Sequence, residues 1–384
     1  MRSFAAMLAA TLLTVSCLPD FVVENGADGA AGASGDASSG GSGGSAGSVA
    51  GGGAPSGGSG GTGGDSGPDH CAGKNCLGGA CVNGKCQPVV FAAQGLRYGI
   101  GFALSDADVY FSNSEPPAIY RCPLAGCGTA NEARVEFVPG EQTYDLHVAA
   151  DHLYWSTNLT PGSLKRCPLA DSTNPQVLTS SPYQIVRFRV DGAELFFGDG
   201  VWASSCDTTG CALKTTYGKE EGIASRRVDV GQGFVFWTTQ SSSLWRVPKN
   251  DSSKVTQVTG SLTDTSFALD DQRIYLALTQ PAPTIASCDL TTCGSGSSPT
   301  PLTNATNVSS MTVDGGFLYW AEFGTSLYPS GAIRRMPVGG GAVDTIATEQ
   351  ASPMTLAADA NAIYWLNGGV SPPGPGGSLM RWAK

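Results

Sequence analysis

The residues best able to do chemistry here are cysteines and histidines, and their spacing sorts them into separate tasks. Cys122/Cys127, Cys206/Cys211 and Cys288/Cys293 share one pattern, C-x4-C. Dithiol redox catalysis favours C-x2-C, so these three pairs read as staples, each clasping the hairpin between two strands. A loop this short contributes about 2 kcal/mol in the chain-entropy picture. Cys71, Cys76, Cys81 and Cys86 are evenly spaced instead. In an exported chain that pattern marks a small disulfide module, whereas a zinc site would favour tighter pairs. Three connectivities are open to four cysteines. Cys167 occupies the same slot as Cys122 in its own repeat but has no partner nearby, and is expected buried and free.

The histidines are His70, His147 and His152. The last two flank one turn, and a catalytic zinc needs three protein ligands. No GxSxG, HExxH or P-loop word occurs after the Gly/Ser-rich N-terminal tract. Charged residues recur in register: Arg121, Arg166, Arg246, Arg335 and Arg381 in one slot, Asp191, Asp270, Asp314 and Asp359 in another. A ring of them would bind an ion. The plainer reading is that Asp shapes its turn through side-chain-to-backbone bonds while Arg lies along a strand edge or pairs locally. The Asp slot holds Ser105, Ala149 and Gly231 in the other repeats, so that ring is incomplete. No cofactor is expected. Backbone carbonyls around a channel could hold a cation such as calcium without any sequence signature, and "DSTNP" and "DLTTCG" fall short of a calcium loop.

The net charge is −10, which disfavours a nucleic-acid partner. No apolar run reaches the length of a transmembrane helix. Residues 1–16 carry a basic Arg2 and the apolar "FAAMLAATLLTV", the pattern of a signal peptide. Residues 17–69 are dominated by a Gly/Ser tract, too poor in apolar residues to order itself. At about 5–6 Å times the square root of its length, its reach is about 36 Å. The four-cysteine module spans 70–87.

Residues 88–384 position everything else. Tyr110-Phe111, Tyr154-Trp155, Phe196-Phe197, Phe236-Trp237, Tyr275-Leu276, Tyr319-Trp320 and Tyr364-Trp365 recur at gaps of 44, 42, 40, 39, 44 and 45 residues. Each follows a turn and precedes another strand-like run, such as "SLKRCPL" or "AIRRMPV". Alternating apolar residues between Gly, Asp, Asn and Pro mark short antiparallel strands. Seven units of about 40 residues with four strands each define an all-β, seven-bladed β-propeller. The last unit ends without an outer strand, and "PVVFAAQ", residues 88–94, looks like one. It is expected to complete the seventh blade and close the ring. Each aromatic pair is expected to pack between blades, although exposed rings would make a sugar-stacking platform.

Three resemblances add to this reading. "LLTVSC" looks like a bacterial lipoprotein signal, which implies lipidation at Cys17 and an outer-membrane or cell-surface address, with secretion as the alternative. "CLGGACVNGKC" resembles part of an EGF-like domain. "HLYWS…GSLKR" and "DGGFLYWAE…GAIRRMPVGG" resemble the YWTD propellers of low-density-lipoprotein-receptor-type proteins and bacterial lipoproteins of that kind. YWTD propellers have six blades against seven repeats here, and the closing Asp is absent, so the resemblance implies a fold and not a ligand.

The expected function is non-catalytic binding or scaffolding at the cell surface, with an envelope or extracellular protein or glycan as partner and the membrane reached only through the lipid anchor. Trp202 and Tyr328 are the candidate contacts. The alternative is a lyase- or hydrolase-type enzyme at the channel mouth. A binder should expose an apolar patch on one loop face. An enzyme should gather ionisable groups with displaced pKa values in the channel.

Overall fold

The computed structural model describes residues 71, 73–96, 101–127, 134–218, 225–294, 297–369 and 376–384. The signal segment, Cys17, the Gly/Ser tract and His70 lie outside them. Every regular element described is a strand: one two-stranded sheet and seven four-stranded sheets. The chain is therefore a seven-bladed β-propeller, as its repeats imply.

The innermost strands, blade 1 to blade 7, are Phe102–Leu104, Thr143–Ala149, Phe188–Asp191, Ser225–Gly231, Leu262–Leu269, Val308–Asp314 and Pro353–Ala358. Each pairs antiparallel with the strand carrying the aromatic pair. The outer strand of blade 7 is Val89–Leu96, paired with Gly377–Ala383. It runs two residues beyond the expected 88–94, with register shifts after Val90 and Ala92. The first and last strands of the propeller thus share one sheet, which closes the ring.

The aromatic pairs explain why the blades stack. Seven hydrophobic clusters fill seven interfaces, each joining the first aromatic of one blade to the second member of the pair in the next. Tyr110 meets Trp155 in one cluster, Tyr154 meets Phe197, Phe196 meets Trp237, and Phe236 meets Leu276. Tyr275 meets Trp320, Tyr319 meets Trp365, and Tyr364 meets Phe111 across the closing interface. Successive strand residues face opposite sides of a sheet, so one dipeptide serves two interfaces. Burying each ring stabilises by about 1.5–3 kcal/mol. Three of the indoles in these pairs keep polar partners: Trp155 donates to Glu141 at 3.2 Å, Trp320 to Glu322 at 3.2 Å and Trp365 to Gln350 at 2.8 Å.

The disulfides pair Cys122 with Cys127, Cys206 with Cys211 and Cys288 with Cys293. Within each clasped hairpin, the carbonyl two residues past the first cysteine accepts from the slot arginine of the preceding blade. Arg166 donates to Thr208 O at 2.5 Å, Arg381 to Leu124 O at 2.8 Å, and Arg246 to Leu290 O. Blades 3 and 5 have Ser205 and Ser287 in the arginine slot, and the blades after them have no clasp. Arg335 instead pairs with Asp344 at 3.1 Å and lies over Trp382, and Arg121 lies over Phe137. The slot arginines are thus stitches within and between blades. Cys167 is buried and free; burial, with Asp171 adding, pushes its thiol up to about 12.

The module pairs Cys71 with Cys81 and Cys76 with Cys86 around a small hairpin. It packs on the last blades: Trp382 donates to Cys86 O at 2.8 Å, Arg381 to Leu77 O, and Lys85 pairs with Asp344 at 2.9 Å.

Candidate functional site: the central channel and the loop rim

Blade topology separates two rims. Antiparallel order puts the turns from first to second strand and from third to outer strand on one rim, the hairpin rim. The loops from second to third strand and from outer strand to the next blade share the opposite loop rim. Between them runs a channel holding a cavity of about 480 Å³, lined by the inner strands of all seven blades.

Register fixes two layers in that channel. Residues opposite the first aromatic of each pair are Ala103, His147, Arg189, Asp229, Ala268, Thr312 and Ala357. Two residues earlier, on the same strand face, lie Gly101, Asp145, Arg187, Arg227, Ser266, Ser310 and Thr355. Every ionisable group of both layers falls on blades 2, 3 and 4. The opposite wall is Ala, Ser and Thr.

The charged wall is a connected group. Arg227 lies 3.2 Å from Asp229 and stacks 4.2 Å over the Phe267 ring, while Arg189 reaches the other Asp229 oxygen at 3.5 Å. Burial opposes charge on Asp229, but Arg189 and Arg227 outweigh it and hold its carboxyl below the usual range. Asp145 accepts from Leu146 N at 3.1 Å and from Phe188 N at 3.4 Å. Burial raises its pKa, opposed by Arg187 and Arg227. Burial, with Arg189 adding, lowers His147 to about 4, so its imidazole is neutral at pH 7. His147 packs edge-on against Phe188, with ring centroids 6.3 Å apart.

The recurrent aspartates sit one layer nearer the hairpin rim and mostly shape turns. Asp270 accepts from Gln272 N, Arg273 N and the Tyr275 hydroxyl. Asp359 does the same with Asn361 N, Ala362 N and Tyr364. Asp191 and Asp314 pair with Lys249 and Lys384. Asp171 and Asp289, in the two stretches weighed as calcium loops, accept from their own Thr neighbours. His152, apart from His147, lies 2.6 Å from Asp151. Cys71, Cys76 and Cys86 lie close together among the described residues, but all three are in disulfides and offer no thiolate to a metal.

Trp202 and Tyr328 both lie on the loop rim, but on blades 3 and 6, so the structure does not bring them together. Each has a different surrounding. Asp199 accepts from Val201 N at 2.9 Å and Trp202 N at 2.7 Å, a turn that turns Trp202 outward. Ser181 donates to Asp199 O at 2.6 Å, and Gly162 N donates to Tyr183 O at 3.0 Å. Three loops from blades 2 and 3 are thereby tied together, and each exposes a large apolar residue: Leu159 is 52% exposed, Tyr183 51% and Trp202 38%. Gly200, at φ +83°, is required here, since a Cβ would lie 2.2 Å from that of Tyr183. On blade 6, Leu327 and Tyr328 project from a loop pinned by the Ser330 hydroxyl, which accepts from Thr325 N at 2.9 Å.

Sequence reasoning placed Trp202 and missed Leu159 and Tyr183 beside it. It also missed Asp145, Arg187, Arg189, Arg227 and Asp229. The signal was there: "DLH", "RFR" and "RVD" put paired ionisable residues seven and nine positions before the first aromatic in three consecutive repeats.

No protein-family model matches the sequence, and no curated protein does. Solved structures do share the propeller fold. The fold is similar to a catalytically inactive virginiamycin B lyase from Staphylococcus aureus, solved with quinupristin: TM-score 0.59, 12% identity, covering 78% of this chain and 99% of that one. It is also similar to BamB from Moraxella catarrhalis: TM-score 0.51, 11% identity, covering 78% of this chain and 92% of that one. At these identities the likeness is one of fold.

Proposed function

We propose that this chain is an exported binding or scaffold protein of the cell envelope, anchored through Cys17 and docking a protein or glycan partner on its loop rim at blades 2 and 3. The observation that carries the reading is the junction of three hydrogen-bonded loops, each exposing one of Leu159, Tyr183 and Trp202. Large rings held on rigid loops make interface anchors at low entropic cost. The five disulfides among the described residues suit an oxidising compartment. Immobilised full chain, offered envelope proteins and a glycan array, should retain a ligand whose capture falls at least about tenfold on Tyr183→Ala/Trp202→Ala. Capture unchanged by that double substitution defeats the reading. Tyr328→Ala, on the far side of the rim, should leave it intact.

A second reading, a lyase- or hydrolase-type enzyme working in the channel, is favoured by the displaced pKa values of Asp145 and His147 in a cavity of ligand size. It requires a turnover that His147→Ala abolishes.

A further inference from the structure

We infer that the channel is a binding site for the oxyanion group of a small ligand, a carboxylate or a phosphate, received by Arg187 on the charged wall of blades 2 to 4. This goes beyond the loop-rim reading and uses different residues.

Three guanidiniums, Arg187, Arg189 and Arg227, share the two channel layers with two carboxylates, Asp145 and Asp229. Asp229 is engaged by both Arg189 and Arg227. Asp145 is engaged by two backbone amides. Arg187 feels Asp145 only at electrostatic range, and among the described residues it makes no hydrogen bond or ion pair. A planar fork of donors facing a cavity, with no acceptor supplied by its own fold, is the arrangement that takes a carboxylate or phosphate through two parallel bonds. Within these two layers the guanidiniums outnumber the carboxylates by one, which points the same way. The wall across from it, Ala268, Thr312, Ala357, Ser310 and Thr355, carries no charge and leaves room.

The mouth adds a second constraint. The cavity extends to Gln232, Asp270 and Asp271 at the hairpin rim. Asp270 is spent on its turn and Tyr275, while Asp271 lies 3.5 Å from Gln232 and is otherwise exposed. An anion entering by this rim passes an acidic threshold. That favours a compact anion over an extended polyanion.

The test is calorimetric titration of the full chain at pH 7 and low ionic strength with inorganic phosphate, succinate and the neutral analogue succinamide. Saturable binding of phosphate, succinate or both is expected, with succinamide inert; which anion binds decides between the two sources. Arg187→Ala should weaken binding at least about tenfold while the cooperative melt is retained, since among the described residues Arg187 makes no hydrogen bond or ion pair and Asp145 keeps its two backbone amides and Arg227. Thr312→Glu, which adds a carboxylate to the uncharged wall, should weaken it too and serves if Arg187→Ala does not fold. Arg334→Ala, outside the channel, should change nothing. The inference is overturned by equal binding of succinamide, by no saturable binding of either anion, or by affinity unchanged in folded Arg187→Ala (in Thr312→Glu, should Arg187→Ala not fold).

Discussion

His147 illustrates how one half-buried side chain makes the stability of the fold depend on pH. Its imidazole lines the channel against Phe188, and burial, with Arg189 adding, holds its pKa at about 4 against an ordinary 6.5. Below 6.5 the unfolded chain takes up a proton that the folded chain refuses. The stabilisation is therefore complete above pH 6.5 and is lost as the pH falls from 6.5 toward 4. The gap is worth on the order of 3 kcal/mol. His147→Gln should flatten that part of the stability-versus-pH curve in urea unfolding. A curve that still falls equally between pH 6.5 and 4 would show that other groups carry it. Cys167 tells a related story: the same slot holds disulfide-bonded Cys122 one blade earlier, but "CPLADSTN" offers no second sulfur, and the thiol is simply packed away among Tyr110, Ile119 and Trp155.

At the scale of elements, hairpin clasp and arginine stitch form one device. The disulfide rigidifies a short hairpin, and the carbonyl it holds out receives the guanidinium of the blade before. Arginine precedes each of the three clasped hairpins; of the four without a clasp, two follow serine and two follow Arg121 and Arg335, which find other partners. Arg166→Ala should cost about 1–3 kcal/mol, the usual loss for a charged donor to a buried carbonyl. Cys206→Ser/Cys211→Ser should cost a similar amount. If the two act together, the combined variant loses less than the separate losses added, by more than about 0.5 kcal/mol in denaturant titrations. Simple additivity would show that staple and stitch are independent. The sequence displayed both slots, yet each was legible only as a local feature, because the partner of Arg166 lies 42 residues on, in the next blade.

The whole molecule was legible in proportion to its repetition. Aromatic pairs at near-constant gaps fixed the number of blades and the closing strand, since every copy repeats the same packing demand. The channel wall escaped for the opposite reason. A ring site draws one or two residues from each repeat, and those residues differ from blade to blade; Ala103, His147, Arg189 and Asp229 become neighbours only once the ring is closed. The loop patch escaped likewise, being unique to blades 2 and 3. Closure itself is testable at this scale. Removing residues 1–96 takes away Val89–Leu96 and bares the edge of Gly377–Ala383, an invitation to pair with another chain. The truncated protein should associate in sedimentation and lose its sharp melt. A monomer with an unchanged melting temperature would mean that six full blades and a three-stranded seventh suffice.

The strand borrowed from the front of the chain also sets an order of events. Val89 is among the first propeller residues to be synthesised, and its partner Arg381 is 292 positions later. Blades 1 to 6 each draw on contiguous sequence and can assemble as they emerge, but the seventh must wait for Gly377–Ala383. Until then an adhesive strand is held at one end and an unfinished sheet at the other. The cysteine hairpin docked on Arg381, Trp382 and Asp344 sits beside that seam, where it fastens the join once both halves have arrived.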